Sequence, residues 1–163
     1  IWFNVWKNGA LDKSTFRSSN FARILTTFPH DLVVGDVDSI ANNGHEVFAS
    51  LGRTVGIFRY TNANGKPDLE LIWESPDLEE FVFSVAIGDA DSDGNNEILA
   101  APMYKGQVIL WEFDGTTWVE AGITDPPIEP ALRKSGTGLP PVIDDIKVDD
   151  VNNDSRNEIV VGG

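Results

Sequence analysis

Cysteine is absent from the 163 residues and methionine occurs once, so the chain has no disulfide framework, no thiolate nucleophile and no Cys-ligated zinc or iron-sulfur centre. Histidine occurs twice, at His30 and His45; neither stands with Ser or Asp at a recognisable catalytic spacing, and both read as surface residues. Basic residues are scarce: 12 Lys and Arg stand against 26 Asp and Glu, a net charge of −14. Nucleic-acid binding needs a basic face that releases counterions, so this balance argues against a polyanionic partner and favours cations as ligands. No apolar run approaches the ~20 residues of a membrane-spanning helix. Nor does any stretch hold the helical apolar period over three turns. The chain opens at Ile1 without methionine or a signal-like stretch, which points to a start elsewhere.

What remains is ordinary globular material, 41% hydrophobic and 23% charged, enough for one core. It is internally repetitive. Leu32-Val33-Val34-Gly35-Asp36-Val37-Asp38 leads to Glu46-Val47-Phe48-Ala49, and Val85-Ala86-Ile87-Gly88-Asp89-Ala90-Asp91 leads to Glu97-Ile98-Leu99-Ala100. A third copy, Ile146-Lys147-Val148-Asp149-Asp150-Val151-Asn152, leads to Glu158-Ile159-Val160-Val161. Each reads as an apolar strand, an acidic loop and a second apolar strand.

A second unit alternates with the first. Val55 to Tyr60 turns through Asn62–Gly65 into Leu69 to Trp73; Val108 to Phe113 turns at Asp114-Gly115 into Trp118 to Ala121; Ile1 to Trp6 turns at Asn8-Gly9 towards a weaker strand pattern in Thr15–Leu25. These are β-hairpins by composition. Aligning them puts Ile1, Val55 and Val108 in register at steps of 54 and 53 residues, a period that suits a four-stranded propeller blade of about 40 to 50 residues with insertions. The expected fold is therefore all-β, about three blades with approximate repeats 1–54, 55–107 and 108–163, each offset by one strand. Residues 124–144 carry Pro126, Pro127, Pro130, Pro140 and Pro141 and read as a loop insertion, because proline cannot donate to a strand ladder. Three blades do not close a ring, so further blades of a parent chain or other copies of this one are expected to cover the exposed edges.

The second acidic loop, Asp89 to Glu97, places side-chain oxygens at its positions 1, 3, 5 and 9 (Asp89, Asp91, Asp93, Glu97), a backbone carbonyl at 7 (Asn95) and Gly94 at the bend. Alternate positions of a tight loop can face one centre, and hard oxygen donors without His or Cys favour calcium. The third loop repeats the spacing with Asp150, Asn152, Asp154 and Glu158, Ser155 replacing the glycine. In the first, Asp36, Asp38 and Glu46 recur with two extra residues; Asn42 or Asn43 stands in for the acid at position 5, and a metal-free turn held by Asn and Gly fits the same residues.

Apolar β runs flank these loops, so they are not EF-hands. The stretch Val85 to Leu99, with its two weaker copies, resembles the FG-GAP/VCBS repeats of integrin-α-like β-propellers. The resemblance implies structural calcium held by Asp89, Asp91, Asp93, Asn95 and Glu97, and by Asp150, Asn152, Asp154, the Arg156 carbonyl and Glu158. It also implies an extracellular or surface role in adhesion, recognition or carbohydrate processing. A non-enzymatic interaction, adhesion or scaffolding module is the first expectation; a lectin or a part of a polysaccharide lyase or hydrolase is the alternative. Trp2, Trp6, Trp73, Trp111 and Trp118 lie on expected strands, where packing between blades would use them rather than stacking on sugars. Asp144-Asp145 and Glu79-Glu80 carry no distinctive acid-base signal in so acidic a chain.

Overall fold

The computed structural model describes residues 2–7, 10–17, 30–40, 42–63, 66–124 and 142–163. Its strands are β1 (Trp2–Lys7), β2 (Ala10–Arg17), β3 (Leu32–Gly35), β4 (Glu46–Ser50), β5 (Val55–Ala63) and β6 (Lys66–Glu74). There follow β7 (Val82–Gly88), β8 (Glu97–Pro102), β9 (Ile109–Phe113), β10 (Trp118–Ile123), β11 (Asp145–Asp149) and β12 (Glu158–Gly162). Every pairing is antiparallel, and no helix occurs among the described residues, as an all-β chain requires. No helix of these residues is long and apolar enough to cross a membrane.

Strands pair in sequence order. Sheet I is β3-β4-β5-β6, sheet II is β7-β8-β9-β10, sheet III is β11-β12, and β1-β2 forms a further two-stranded sheet. Val55 opens β5, the third strand of sheet I, so the repeat frame is displaced from the sheets by two strands rather than one. The reason is that the acidic loop joins the first strand to the second, leaving both ahead of the hairpin. The strand opposite β1 is Ala10–Arg17, earlier than the Thr15–Leu25 region expected, because the chain reverses at once and pairs Lys7 with Ala10. Of the proline-rich stretch 124–144, residues 125–141 lie outside the described ones. Its two ends belong to the fold: Thr124 exchanges bonds with Val108 at 2.9 and 3.0 Å, and Ile143 is buried.

The sheets stack face to face, and the period-2 alternation of the strands states which face each residue serves. In β8, Ile98 and Ala100 join Phe48, Ile57, Trp111 and Trp118 in the layer between sheets I and II, while Leu99 and Ala101 join Ile143, Ile146, Ile159 and Val161 between sheets II and III. In β4, Phe48 faces sheet II and Val47 and Ala49 face the opposite side with Phe58 and Leu69. Burial on both faces explains why β4 and β8 are buried along their whole length and read as continuous apolar runs. Trp73 lies against Trp111 and Trp118 at centroid distances of 5.8 and 5.9 Å, so these three tryptophans serve the core. The side chains of Trp2 and Trp6 lie outside the description.

First strands of successive sheets lie side by side, β7 packing between β3 and β11. A missing side chain sets how close they come. A Cβ at Gly35 would stand 3.2 Å from Ile87 Cδ1, and one at Gly88 only 2.6 Å from Val148 Cβ. Gly88→Val should therefore push sheet III off sheet II and lower stability by roughly 1–3 kcal/mol through overpacking. Gly35→Ala should be milder, since the Ile87 methyl is the end of a flexible side chain. Urea unfolding followed by tryptophan fluorescence checks both. At the other end of the strands, the Asp31 carboxylate accepts from Val85 N (3.0 Å) and Ser84 Oγ (3.2 Å), tying the entry of β3 to β7.

Candidate metal centres

The loops that follow β3, β7 and β11 lie at the same end of their sheets, and the strands on either side fix their ends. Gly35 pairs with Glu46, Gly88 with Glu97 and Asp149 with Glu158, so each closing glutamate is delivered next to the first loop acid by antiparallel register.

The second and third loops share one internal hydrogen-bond scheme. The first aspartate accepts from the backbone N–H groups of positions 5 and 6: Asp93 N to Asp89 Oδ1 at 2.9 Å and Gly94 N to Asp89 Oδ2 at 3.0 Å, matched by Asp154 N and Ser155 N to Asp150 at 3.1 and 2.8 Å. Position 3 accepts from the same position-5 N–H, at 3.1 Å on Asp91 and 2.9 Å on Asn152. The closing glutamate accepts from position 2, Ala90 N to Glu97 at 2.6 Å and Val151 N to Glu158 at 3.1 Å. Such folding needs left-handed backbone at position 4, where Ser39, Ser92 and Asn153 have φ of 53, 64 and 61°. It needs it again at position 6, where Ser155 (69°) adopts the bend that Gly94 (96°) takes without strain. The loop therefore survives the loss of its glycine.

In the second loop, carboxylate oxygens of Asp89, Asp91 and Glu97 lie within 4.8 Å of one another. Three such charges repel by roughly 3–4 kcal/mol per pair at an effective dielectric near 20. Glu97 is 2% exposed, and its Oε1 has no hydrogen-bond partner among the described residues although Oε2 is bonded. Burial pushes the Glu97 carboxyl up from 4.5 to about 7; the Asp91 and Asp89 charges add to this, and the Ala90 and Asp91 N–H groups oppose it. An unsatisfied buried oxygen inside an acidic cluster is a site that a cation completes. Asp93 is not among the three acids drawn together; its Oδ1 accepts from Asn95 N at 2.8 Å and its Oδ2 from Asn95 Nδ2 at 3.0 Å.

The first loop gathers Asp36, Asp38 and Glu46 just as tightly, but a cationic side chain from β5 already reaches it. Arg59, paired with Glu46 across β4 and β5, reaches Glu46 Oε1 at 3.2 Å and Asp38 Oδ2 at 3.3 Å, and Asn43 Nδ2 donates to both Asp38 oxygens at 2.8 Å. Asn43 thus serves as a donor to the acid. Asn42 occupies a left-handed turn position, at φ of 68°. Burial raises the Glu46 carboxyl, the hydrogen bond from Arg59 opposing and the Asp38 charge adding. Asp36 Oδ1 and Glu46 Oε2 remain unpartnered among the described residues, so a divalent ion has donors here but competes with the guanidinium. Arg59 escaped the sequence reading because it lies in the hairpin, outside the loop; the signal was available in the repeat register, where Arg59 aligns with Glu112.

The third loop has Asn152 where the second has Asp91, so it forms no comparable three-carboxylate cluster among the described residues; Asn152 Nδ2 donates to Glu158 Oε1 at 2.8 Å. Asp150, Asp154 and Glu158 keep the fold of the loop, and Arg156 contributes its N–H to Asp154 at 2.9 Å. His30 and His45 are exposed, His30 stacking on Phe83 at 4.2 Å. Glu79 is taken up by Lys105 at 3.2 Å and Asp145 by Lys147 at 2.6 Å. No protein-family model matches the chain, and no curated protein matches it either.

Proposed function

We propose that this chain is a segment of a calcium-stabilised β-propeller acting outside the cell as an interaction, adhesion or scaffolding module, with calcium in a structural role. The observation that carries the reading is the second loop: three clustered carboxylates around a buried, unpartnered Glu97 oxygen. Asp89, Asp91 and Glu97 would hold the ion, which supplies positive charge to a site otherwise under mutual repulsion. Calcium is preferred over magnesium because it accepts oxygen donors in irregular geometry, such as an Asp-rich loop supplies, whereas magnesium demands octahedral geometry and keeps its water. The propeller reading is supported by the stacked sheets with their first strands adjacent and by the repeat-like loop chemistry.

Isothermal titration of the intact chain with calcium, and separately with magnesium, tests this proposal. A calcium site with Kd of about 0.1–1 mM is expected, as in extracellular modules; absence of calcium uptake overturns the reading. Arg59 sets how many sites respond. Arg59→Gln leaves Asp38 and Glu46 without their cation, so the metal-free protein should lose roughly 1–3 kcal/mol, with Arg59 being partly exposed. The same variant should bind one more calcium than the parent chain, read from the titration stoichiometry.

A further inference from the structure

Adjacent sheets are clasped together at their loops by a contact that recurs. Asn96, which precedes Glu97, donates its backbone N–H to Ser39 Oγ at 3.0 Å and its side-chain Nδ2 to the Asp36 carbonyl at 2.8 Å. Asn157, which precedes Glu158, does the same one sheet on, to Ser92 Oγ at 2.8 Å and the Asp89 carbonyl at 2.7 Å. In each case the acceptors are positions 1 and 4 of the preceding loop, the acid that opens the cluster and the residue held at positive φ. An Asn-Glu pair therefore faces two ways: its Asn grips the previous loop, and its Glu enters its own.

We infer that Asn157 is a positioning residue that couples cation binding in the second loop to the docking of sheet III on sheet II. This rests on the calcium reading of that loop. Asp89 is shared: its carboxylate belongs to the cluster and its carbonyl belongs to the clasp. A cation that fixes Asp89 presents the carbonyl to Asn157 in place, and Asn157 in turn removes freedom from Asp89 and Ser92 before the cation arrives. Linkage makes the effect reciprocal, so the factor by which the clasp tightens the ion is the factor by which the ion tightens the sheet contact. Loss of the single Asn157 Nδ2 bond should weaken calcium by about two- to tenfold, the range of one hydrogen bond.

The test uses the full chain in a Glu158→Gln background, which removes the third loop's closing acid from the comparison. Calcium affinity by titration and amide hydrogen exchange with and without calcium are measured for the parent, Asn157→Ala and Ser92→Gly. Ser92→Gly deletes the other acceptor at an exposed position whose φ of 64° glycine tolerates, so it reports even where Asn157→Ala does not fold. In the parent, calcium should slow exchange in β11 and β12 as well as in the second loop. In Asn157→Ala the affinity should fall and the protection of β11 and β12 by calcium should vanish, and in Ser92→Gly both should fall in part, while protection within the second loop remains. Unchanged affinity in the variants, or calcium protection confined to the second loop in the parent, overturns the coupling while leaving the calcium site standing. No calcium uptake by the parent overturns both.

Discussion

Replacing Trp118 with alanine is expected to lower stability by about 3–5 kcal/mol, the range for deleting a large buried aromatic. Trp118 sits in β10, 8% exposed, yet it secures a loop of the neighbouring sheet: its indole Nε1–H donates to the Val37 carbonyl at 3.2 Å. Val37 is the second residue of the first acidic loop and is fully buried. The ring also packs on Phe113 at 4.8 Å and Trp73 at 5.9 Å. Trp118→Phe separates the two contributions, since it keeps most of the packing and strands the Val37 carbonyl; about 1–3 kcal/mol should be lost. Urea unfolding monitored by far-ultraviolet circular dichroism checks the pair. Equal midpoints for alanine and phenylalanine would show that packing contributes little here.

The second large effect concerns Glu97. Calcium at 100 times its Kd stabilises by about 2.7 kcal/mol, which for a chain of this size raises the melting temperature by roughly 5–10 °C. Glu97→Gln should abolish the second loop's contribution to this rise. The mutation should also stabilise the metal-free protein at pH 8, because it removes a buried charge from beside Asp89 and Asp91. The pH dependence follows from the raised carboxyl. Between 4.5 and about 7, the folded metal-free protein holds a proton on Glu97 that the unfolded chain has released, so its stability declines as pH rises through that window. Calcium needs the ionised form, so its stabilising increment should grow over the same window and level off above it. Melting curves with and without calcium at pH 5.5, 6.5 and 8 check both slopes. A calcium increment independent of pH in the parent chain would remove Glu97 from the site.

The strands were legible because they carry their own pattern. Buried runs such as Glu46–Ala49 and Glu97–Ala100, set between loops rich in Asp, Asn and Gly, leave little alternative to strand-loop-strand. The spacing of Asp89, Asp91 and Glu97 likewise announced three acids at one place, because register alone brings the last beside the first. Contacts reaching a loop from outside it were not legible in the loop's own spacing. Arg59 reaches the first loop from another strand of the same sheet, and the Asn96 and Asn157 clasps join neighbouring sheets through residues 57 to 68 positions apart, a distance at which spacing conveys nothing. Less legible was the local bonding of the loop, in which the Asp93 carboxylate accepts from Asn95 N and Nδ2 in an Asx-type arrangement.

The two glycines that set the spacing between sheets have no third counterpart. Where Gly35 receives Ile87 and Gly88 receives Val148, the corresponding position of β11 is Asp149. The stack is thus directional, with a notch on one side of a layer and an aliphatic knob on the facing side of the next, and the notch is filled in on the last of the three. A layer laid there with another branched aliphatic knob would press hydrocarbon against a carboxylate. A neighbour packed on that side would meet the exposed Asp149 carboxylate where Gly35 and Gly88 offer a notch, and a small or basic side chain would suit it best.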